Sequence, residues 1–176
     1  CTLYFSAFDT QTLMLTTLER YIADVRSGKH KKAVEKVQAY LAASENEKAE
    51  ASKKRLPLLV PGGAMAGGRK LEHMVRYSGC ICIDLDDVLL PPEQILSQAA
   101  QLGYVKAGHI SPSHTGNKLF VLVDSDQEHH LQAFEQVRSM IEKDLPGVTV
   151  DISGKDANRG CFASYDPEAF YKEVAE

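Results

Sequence analysis

The sequence lacks the features that would tie it to a membrane or to a disulfide framework. No apolar run in its 176 residues approaches the roughly 20 residues that a membrane-spanning helix needs. No signal-peptide pattern opens the chain. Its four cysteines show neither disulfide nor zinc spacing; they are Cys1, Cys80, Cys82 and Cys161. These absences predict a protein without a membrane segment, and a reducing cytoplasm as its location.

A phosphate-binding loop of the P-loop type is also missing. The glycine-rich stretch from Pro61 to Gly68 lacks the order G-x-x-x-x-G-K-[ST], and it has no strand–loop–helix context. We therefore predict a flexible loop over these residues and no nucleotide site of the P-loop type.

Charge is distributed unevenly along the chain. The net charge of −4 does not suggest a general nucleic-acid binder, but residues 26–55 carry nine Lys or Arg against four Asp or Glu. Residues 56–176 carry ten basic against seventeen acidic residues. A basic flank beside an acidic centre fits phosphate contacts on one side and metal ligands on the other. The alternative is that the basic helix face is merely solvated.

The composition, 44% hydrophobic and 25% charged, is typical of a single globular domain. We predict an α+β fold in which residues 1–77 form an N-terminal α/β subregion with basic helices. Residues 78–176 would form an RRM-like core. In the subregion the patterns predict a strand near Leu3–Phe8, a helix over 18–27 and a second helix over 31–49.

The core has the predicted order β-α-β-β-α-β, which is the ferredoxin-like or RRM-like plan. Its first helix follows Pro91-Pro92-Glu93, and its second spans 126–143. A further strand is predicted over 160–164, and a terminal helix begins at 166–168. The four core strands are predicted over 79–84, 104–111, 118–123 and 147–151.

Three acids follow the first core strand, at Asp84, Asp86 and Asp87. Side chains two apart on a strand share a face, so Asp84 and Asp86 should project together. Paired carboxylates repel unless a cation lies between them, and oxygen ligands suit Mg²⁺ or Mn²⁺. The alternative is a solvated turn that caps the next helix, with Asp87 near its N-terminus. In the predicted topology this pair converges with the 111–118 hairpin and with Asp151.

With these features the chain resembles the VirE N-terminal domain family, a primase-like module of bacterial mobile elements within the archaeo-eukaryotic primase superfamily. The resemblance covers nearly the whole chain. Its segments are Lys54-Arg55-Leu56-Pro57, Ile83-Asp84-Leu85-Asp86, Ser111-Pro112-Ser113, Gly116-Asn117-Lys118, Val150-Asp151-Ile152-Ser153 and residues 156–167.

The resemblance implies a primase-polymerase-like fold and a set of site residues. Asp84, Asp86 and Asp151 would be the catalytic carboxylates and would hold Mg²⁺ or Mn²⁺. Arg159 would hold phosphate. Lys118 stands where active relatives have a histidine that contacts the incoming nucleotide. The remaining candidates for nucleotide or phosphate binding are Ser111, Ser113 and His114.

Two functions remain open from the sequence. The first is a primase or polymerase domain of a mobile-element replication protein, which uses a nucleoside triphosphate and a single-stranded nucleic-acid template. The second is a non-catalytic RRM-like module that binds nucleic acid or nucleotide and regulates an attached C-terminal helicase-like domain. RRM recognition depends on sheet aromatics, and the core strands offer only Phe120 and Tyr104. Acids on the sheet favour a metal site over a plain RRM.

Overall fold

A computed structural model of the chain describes residues 1–9, 11, 13–86 and 89–173. Among these residues it has five helices and three antiparallel sheets, which confirms the predicted α+β class. None of the described helices combines the length and the apolar character that crossing a bilayer requires. Asp87, the third acid after the first core strand, lies outside the described residues.

The N-terminal half alternates short strands with three helices. The first helix begins after Thr17, whose side chain accepts a hydrogen bond from the Arg20 backbone N–H at 3.1 Å. The elements of this half are β1 (Thr2–Tyr4), β2 (Leu13–Leu15), α1 (Leu18–Arg26), α2 (Lys31–Ala42), α3 (Asn46–Lys53), β3 (Leu58–Val60), β4 (Gly63–Met65) and β5 (Met74–Tyr77).

The single helix predicted over 31–49 is wrong, because the chain turns between α2 and α3. Ser44 has a positive φ of 57°. The Glu45 N–H bonds to the Tyr40 carbonyl at 2.8 Å, and the Ser44 N–H bonds to the Leu41 carbonyl at 3.0 Å. This pair of bonds is a Schellman motif, which ends a helix by satisfying its last carbonyls.

The C-terminal half contains the predicted order β-α-β-β-α. It forms a four-stranded sheet with the order β10-β7-β8-β6, and β4 and β5 pair separately. The elements are β6 (Cys80–Leu85), α4 (Pro92–Ala99), β7 (Val105–Ile110), β8 (Asn117–Leu122), α5 (His130–Asp144), β9 (Cys161–Phe162) and β10 (Phe170–Tyr171). Two 3₁₀ turns also occur, at Leu71–His73 and Ile152–Gly154.

The predicted fourth core strand is wrong. Residues 147–151 belong to no strand in the part of the chain that the structure describes. The segment lies beside β6, where the Asp151 N–H donates to the Asp84 carbonyl at 2.9 Å. Its Val148 and Val150 side chains are buried in the core. The Asp151 carboxylate then accepts the Ser153 N–H, which turns the backbone into the 3₁₀ helix before a ladder can form.

The predicted terminal helix is wrong as well. The Asp166 carboxylate accepts the backbone N–H of Ile110 and that of Glu168, each at 2.9 Å. These bonds fix the chain against β7 and form a turn at 166–168. The chain then continues as β10, in which Phe170 pairs with Gly108.

Both faces of the core sheet are covered. One face carries Ile83 and Leu119, which pack with residues of α4 and α5. The opposite face carries Cys82 and Phe120, which lie against α1 and the segment that follows β9. The second sheet has the order β2-β1-β3-β9, so the C-terminal half supplies one of its strands. The candidate site lies near the junction of the two sheets.

Candidate metal centre

Three carboxylates converge at one end of the core sheet. Asp84 is the penultimate residue of β6, Asp86 follows the strand, and Asp151 caps the second 3₁₀ helix. Each of the three offers an oxygen that lies within 4.8 Å of the other two. The bond between the Asp151 N–H and the Asp84 carbonyl holds two of these residues side by side.

A glycine in the hairpin allows the end of β6 to adopt this position. A Cβ atom on Gly116 would lie 2.0 Å from the Leu85 carbonyl oxygen and 3.1 Å from Asp86 Oδ1. Only glycine leaves room for so close an approach of two backbones. The Ser111 hydroxyl accepts the Gly116 N–H at 3.3 Å, which closes the turn.

Asp84 is ion-paired with Lys118, its cross-strand neighbour on β8. The pair involves Asp84 Oδ2, whereas Asp84 Oδ1 is buried and has no hydrogen-bond partner among the described residues. Burial raises the pKa of Asp84 even though Lys118 acts against this, and the charges of Asp86 and Asp151 raise it further. Burial alone would lower the pKa of Lys118, but the Asp84 carboxylate raises it above its ordinary value.

Asp151 is held in its charged form by its own 3₁₀ helix. Its Oδ2 accepts the Ser153 hydroxyl at 2.6 Å, and its Oδ1 accepts the Ser153 N–H at 2.8 Å. These bonds lower the pKa of Asp151, and the charges of Arg159 and Lys118 act in the same direction. Arg159 Nη2 also donates to the Ser153 hydroxyl at 3.3 Å, so the guanidinium lies beside the carboxylate cluster.

A cavity of about 140 Å³ brings most of the predicted site residues together. Six of the eight predicted residues line it, namely Asp84, Asp86, Ser111, Lys118, Asp151 and Arg159. From the predicted residues alone, this cavity, which we call the triad cavity, combines three acids with two cations and a hydroxyl. Such a mixture suits a divalent cation together with a phosphate.

The other two predicted residues lie elsewhere. Ser113 does not line the triad cavity, and its hydroxyl is hydrogen-bonded to that of Thr115 at 2.9 Å. His114 is exposed with a positive φ of 59°, and it lines a separate cavity with Glu93 and Tyr165. The Ser113 hydroxyl also lies 3.1 Å from that of Ser111, which does line the triad cavity.

Lys53 lines the triad cavity, although no sequence motif marked it as a site residue. It is the last residue of α3, and its ammonium lies 5.7 Å from the centroid of the Phe162 ring. The basic run Lys53-Lys54-Arg55 was visible, but its position across from β6 depends on the pairing of β3 with β9. Cys82 and Cys161 also line this cavity.

Phe120, the aromatic side chain of the central strand β8, is not available for stacking. Phe120 is fully buried beneath α1, with its ring centroid 6.1 Å from that of Tyr21 and 5.9 Å from that of His109. RRM modules stack bases on exposed aromatics of an open sheet face. The sheet surface around Phe120 is covered here, so this ring cannot serve as such a platform.

The residues of the triad fit a hard divalent cation. All three side chains offer oxygen, the donor that Mg²⁺ and Mn²⁺ prefer. The unpartnered Asp84 Oδ1 supplies a buried acceptor that needs a positive partner. Burial and the neighbouring acids raise the pKa of Asp84, and a bound cation would lower it again.

Comparison with known families gives one match. The model of the BT4734-like, N-terminal domain family matches residues 51–171. No curated protein and no solved structure matches the chain.

The expectation of a VirE N-terminal domain within the archaeo-eukaryotic primase superfamily is therefore wrong, because the matching family is a different one. The segments behind that resemblance are short. An acid–hydrophobic–acid sequence at a strand end recurs on unrelated folds, and it does not identify a family. The expectations of a mobile-element role and of an attached helicase lose their support with it.

Proposed function

The chain belongs to the BT4734-like, N-terminal domain family, and we propose that its triad cavity carries out divalent-metal-dependent nucleotidyl transfer. The substrates are a nucleoside triphosphate and a single-stranded nucleic-acid template. The family description names no activity, so the proposal rests on the carboxylate site.

The observation that carries the proposal is the unpartnered Asp84 Oδ1 within the acidic cluster. Leaving a buried acceptor without a partner costs about 1–3 kcal/mol, and more for a charged group. Lys118 engages only the other oxygen of this carboxylate. A cation shared with Asp86 and Asp151 would satisfy Oδ1 and relieve the repulsion among the three acids.

Each residue of the cavity has a role that its position supports. Asp84, Asp86 and Asp151 would hold Mg²⁺ or Mn²⁺, which when bound polarises a phosphate and favours ionisation of an attacking hydroxyl. Lys118 fixes the Asp84 carboxylate through Oδ2 and opposes the rise that burial causes in the pKa of Asp84. Arg159 is exposed beside Asp151 and can donate two parallel N–H groups to a phosphate.

A second candidate is a metal–nucleotide-binding module without chemistry. It is favoured by the ion pair between Lys118 and Asp84, because an ammonium committed to a carboxylate cannot also follow a phosphate through a reaction. In this candidate the site would bind a nucleotide through the metal and transfer nothing. Base stacking on Phe120 would play no part, since this side chain is buried.

The first test is calorimetric titration of ATP and dATP in Mn²⁺. The wild type should bind in a metal-dependent manner, and Asp84→Asn should weaken binding by more than about tenfold, since even outer-shell changes at metal sites cost about that much. Asp124→Asn is the matched control, because it removes the same charge from an exposed residue just beyond the other end of β8. Equal affinities in all three proteins would refute a carboxylate metal site.

The second test separates transfer from binding. A labelled primer on a single-stranded template should be lengthened in Mn²⁺ by the wild type and by Asp124→Asn, and not by Asp84→Asn. Nucleotide binding without any lengthened product, on DNA and RNA templates alike, would support the non-catalytic module instead.

A further inference from the structure

A second and larger cavity lies next to the triad cavity. We call it the Arg69 cavity; its volume is about 680 Å³, and its lining includes Leu58, Arg69, Lys70, His73 and Arg159. We propose that it binds the polyphosphate of the nucleotide whose reacting phosphate lies at the carboxylates. This inference rests on the proposed function and adds to it a location for the rest of the substrate.

The two cavities share a wall. Arg159, Gly160 and Phe162 line both of them. The triad cavity, at about 140 Å³, is smaller than the roughly 300–1,000 Å³ typical of sites for drug-sized ligands. The Arg69 cavity lies within that range. A nucleotide anchored at the carboxylates must therefore extend elsewhere, and Arg159 connects the triad cavity to the adjacent space.

Two nitrogen atoms of the Arg69 cavity lack partners. Arg69 Nε and His73 Nδ1 are buried and have no hydrogen-bond partner among the described residues. The guanidinium is fixed in place, because its Nη2 donates to the Ala7 carbonyl at 2.9 Å and it lies 5.9 Å from the Tyr4 ring centroid. A buried donor without an acceptor is unfavourable, and an anionic oxygen would remedy this.

The charge of the lining favours an anion. Arg69, Lys70 and Arg159 contribute three positive charges against the single carboxylate of Asp156. Lys70 has a weak, exposed contact with Glu72 at 3.8 Å, which leaves most of its charge available. Cations concentrated in a concave site attract phosphate more strongly than the same cations on a flat surface.

The lining of the Arg69 cavity indicates a mononucleotide and not a nucleic-acid strand. Proteins that bind single strands place successive aromatic rings along a basic groove. Among the described lining residues, Phe162 is the one phenylalanine, tyrosine or tryptophan, and it lies at the boundary with the triad cavity. The Arg69 cavity thus has room for one polyphosphate group and no second stacking platform.

The test uses the full chain and inorganic tripolyphosphate, titrated by calorimetry first in EDTA and then in Mn²⁺. Without metal, Arg69→Gln should weaken tripolyphosphate binding by about tenfold or more, the usual effect of losing a hydrogen bond to a charged group. Arg76→Gln is the matched control, since this arginine is exposed on β5 and does not line the cavity. It should bind like the wild type. His73→Phe, which removes the unpartnered nitrogen, should also weaken binding and serves if Arg69→Gln does not fold.

The acidic variant separates this inference from the proposed function. In EDTA, Asp84→Asn should bind tripolyphosphate at least as tightly as the wild type, because it removes a negative charge nearby. If tripolyphosphate binding depends on Arg69 but is not strengthened by Mn²⁺, the result would support the Arg69 cavity and refute the metal site. The inference is overturned if the wild type does not bind tripolyphosphate, or if Arg69→Gln and His73→Phe bind like the control while Mn²⁺-dependent nucleotide binding persists.

Discussion

His109 is a buried titratable group beside the candidate site. It is the cross-strand neighbour of Lys118, and its Nδ1 lies 2.9 Å from its acceptor, the Ile110 carbonyl. Its Nε2 lies 3.0 Å from the Tyr21 hydroxyl. Burial lowers the pKa of His109 to about 4, so the ring is neutral in the folded protein at neutral pH. A neutral ring adds no positive charge next to the Asp84–Lys118 pair.

This histidine should make the fold sensitive to acid. The unfolded chain takes up a proton at His109 near pH 6.5, whereas the folded chain does so only near pH 4. Stability is therefore lost as the pH falls through this window. The gap between the two pKa values corresponds to about 3 kcal/mol of unfolding free energy. Urea denaturation at several pH values between 7 and 4 measures this loss.

The variant His109→Gln should reduce this pH dependence, because glutamine can accept the Tyr21 hydroxyl and does not titrate. His114→Asn is the control: it removes an exposed histidine at a position with positive φ, which asparagine tolerates. It should keep the slope of the wild type. The same slope in all three proteins would show that His109 is not the group responsible.

At the scale of elements, the hairpin between β7 and β8 positions the end of β6. Gly116 lies directly against the Leu85 carbonyl, and Asn117 is fixed by a bond from its side-chain N–H to the Pro92 carbonyl at 2.9 Å. The hairpin loop between β7 and β8 therefore decides where Asp86 lies. Two elements distant in sequence build the site together.

Gly116→Ala should destabilise the fold and disturb the site. The added Cβ would overlap the Leu85 carbonyl, and relief of such overpacking usually costs about 1–3 kcal/mol. Movement of the β6 end would also displace Asp86 and weaken Mn²⁺ binding. Chemical denaturation and Mn²⁺ titration measure the two effects.

The control for this prediction is Gly103→Ala. A Cβ there would meet no atom within 4 Å, and Gly103 has no positive φ. This variant should be as stable as the wild type or slightly more stable, because alanine restricts the unfolded chain. If both variants lose the same stability, the close approach at Gly116 is not the cause.

At the scale of the whole molecule, one hydrophobic cluster joins the two larger sheets. It contains Tyr21 from α1, Leu59 from β3, Phe120 from β8 and Cys161 from β9. Residues before and after position 78 are therefore buried against each other. A cluster shared in this way makes separate unfolding of the two halves unfavourable.

We expect the chain to unfold in a single calorimetric transition. Leu59→Ala should destabilise it by about 3 kcal/mol, the usual cost of removing a fully buried leucine side chain. For a chain of this size the whole transition should move down by roughly 10 °C. Leu15→Ala, at a position 64% exposed, is the control and should change little. Two transitions, of which Leu59→Ala moves only one, would contradict a shared core.

The sequence alone determined the class of the fold and the location of the acids. The α+β class and the order β6-α4-β7-β8-α5 follow from hydrophobic periodicity, which is local to each segment. The position of Asp84 at the end of a buried strand follows from the same pattern. The glycine-rich stretch gave no hint of β4, because its contacts depend on β5.

Only the tertiary structure decided which segments complete a ladder and which charges meet. Residues 147–151 have a strand-like sequence, but Asp151 uses its carboxylate to turn the chain after one bond to β6. The terminal helix is replaced because Asp166 bonds to β7. Lys53 reaches the triad cavity because β3 pairs with β9, and Arg69 is held by its bond to the Ala7 carbonyl. Both contacts join segments that are far apart in the sequence. Such outcomes depend on hydrogen bonds and packing between distant segments, and the residues of one segment do not encode them.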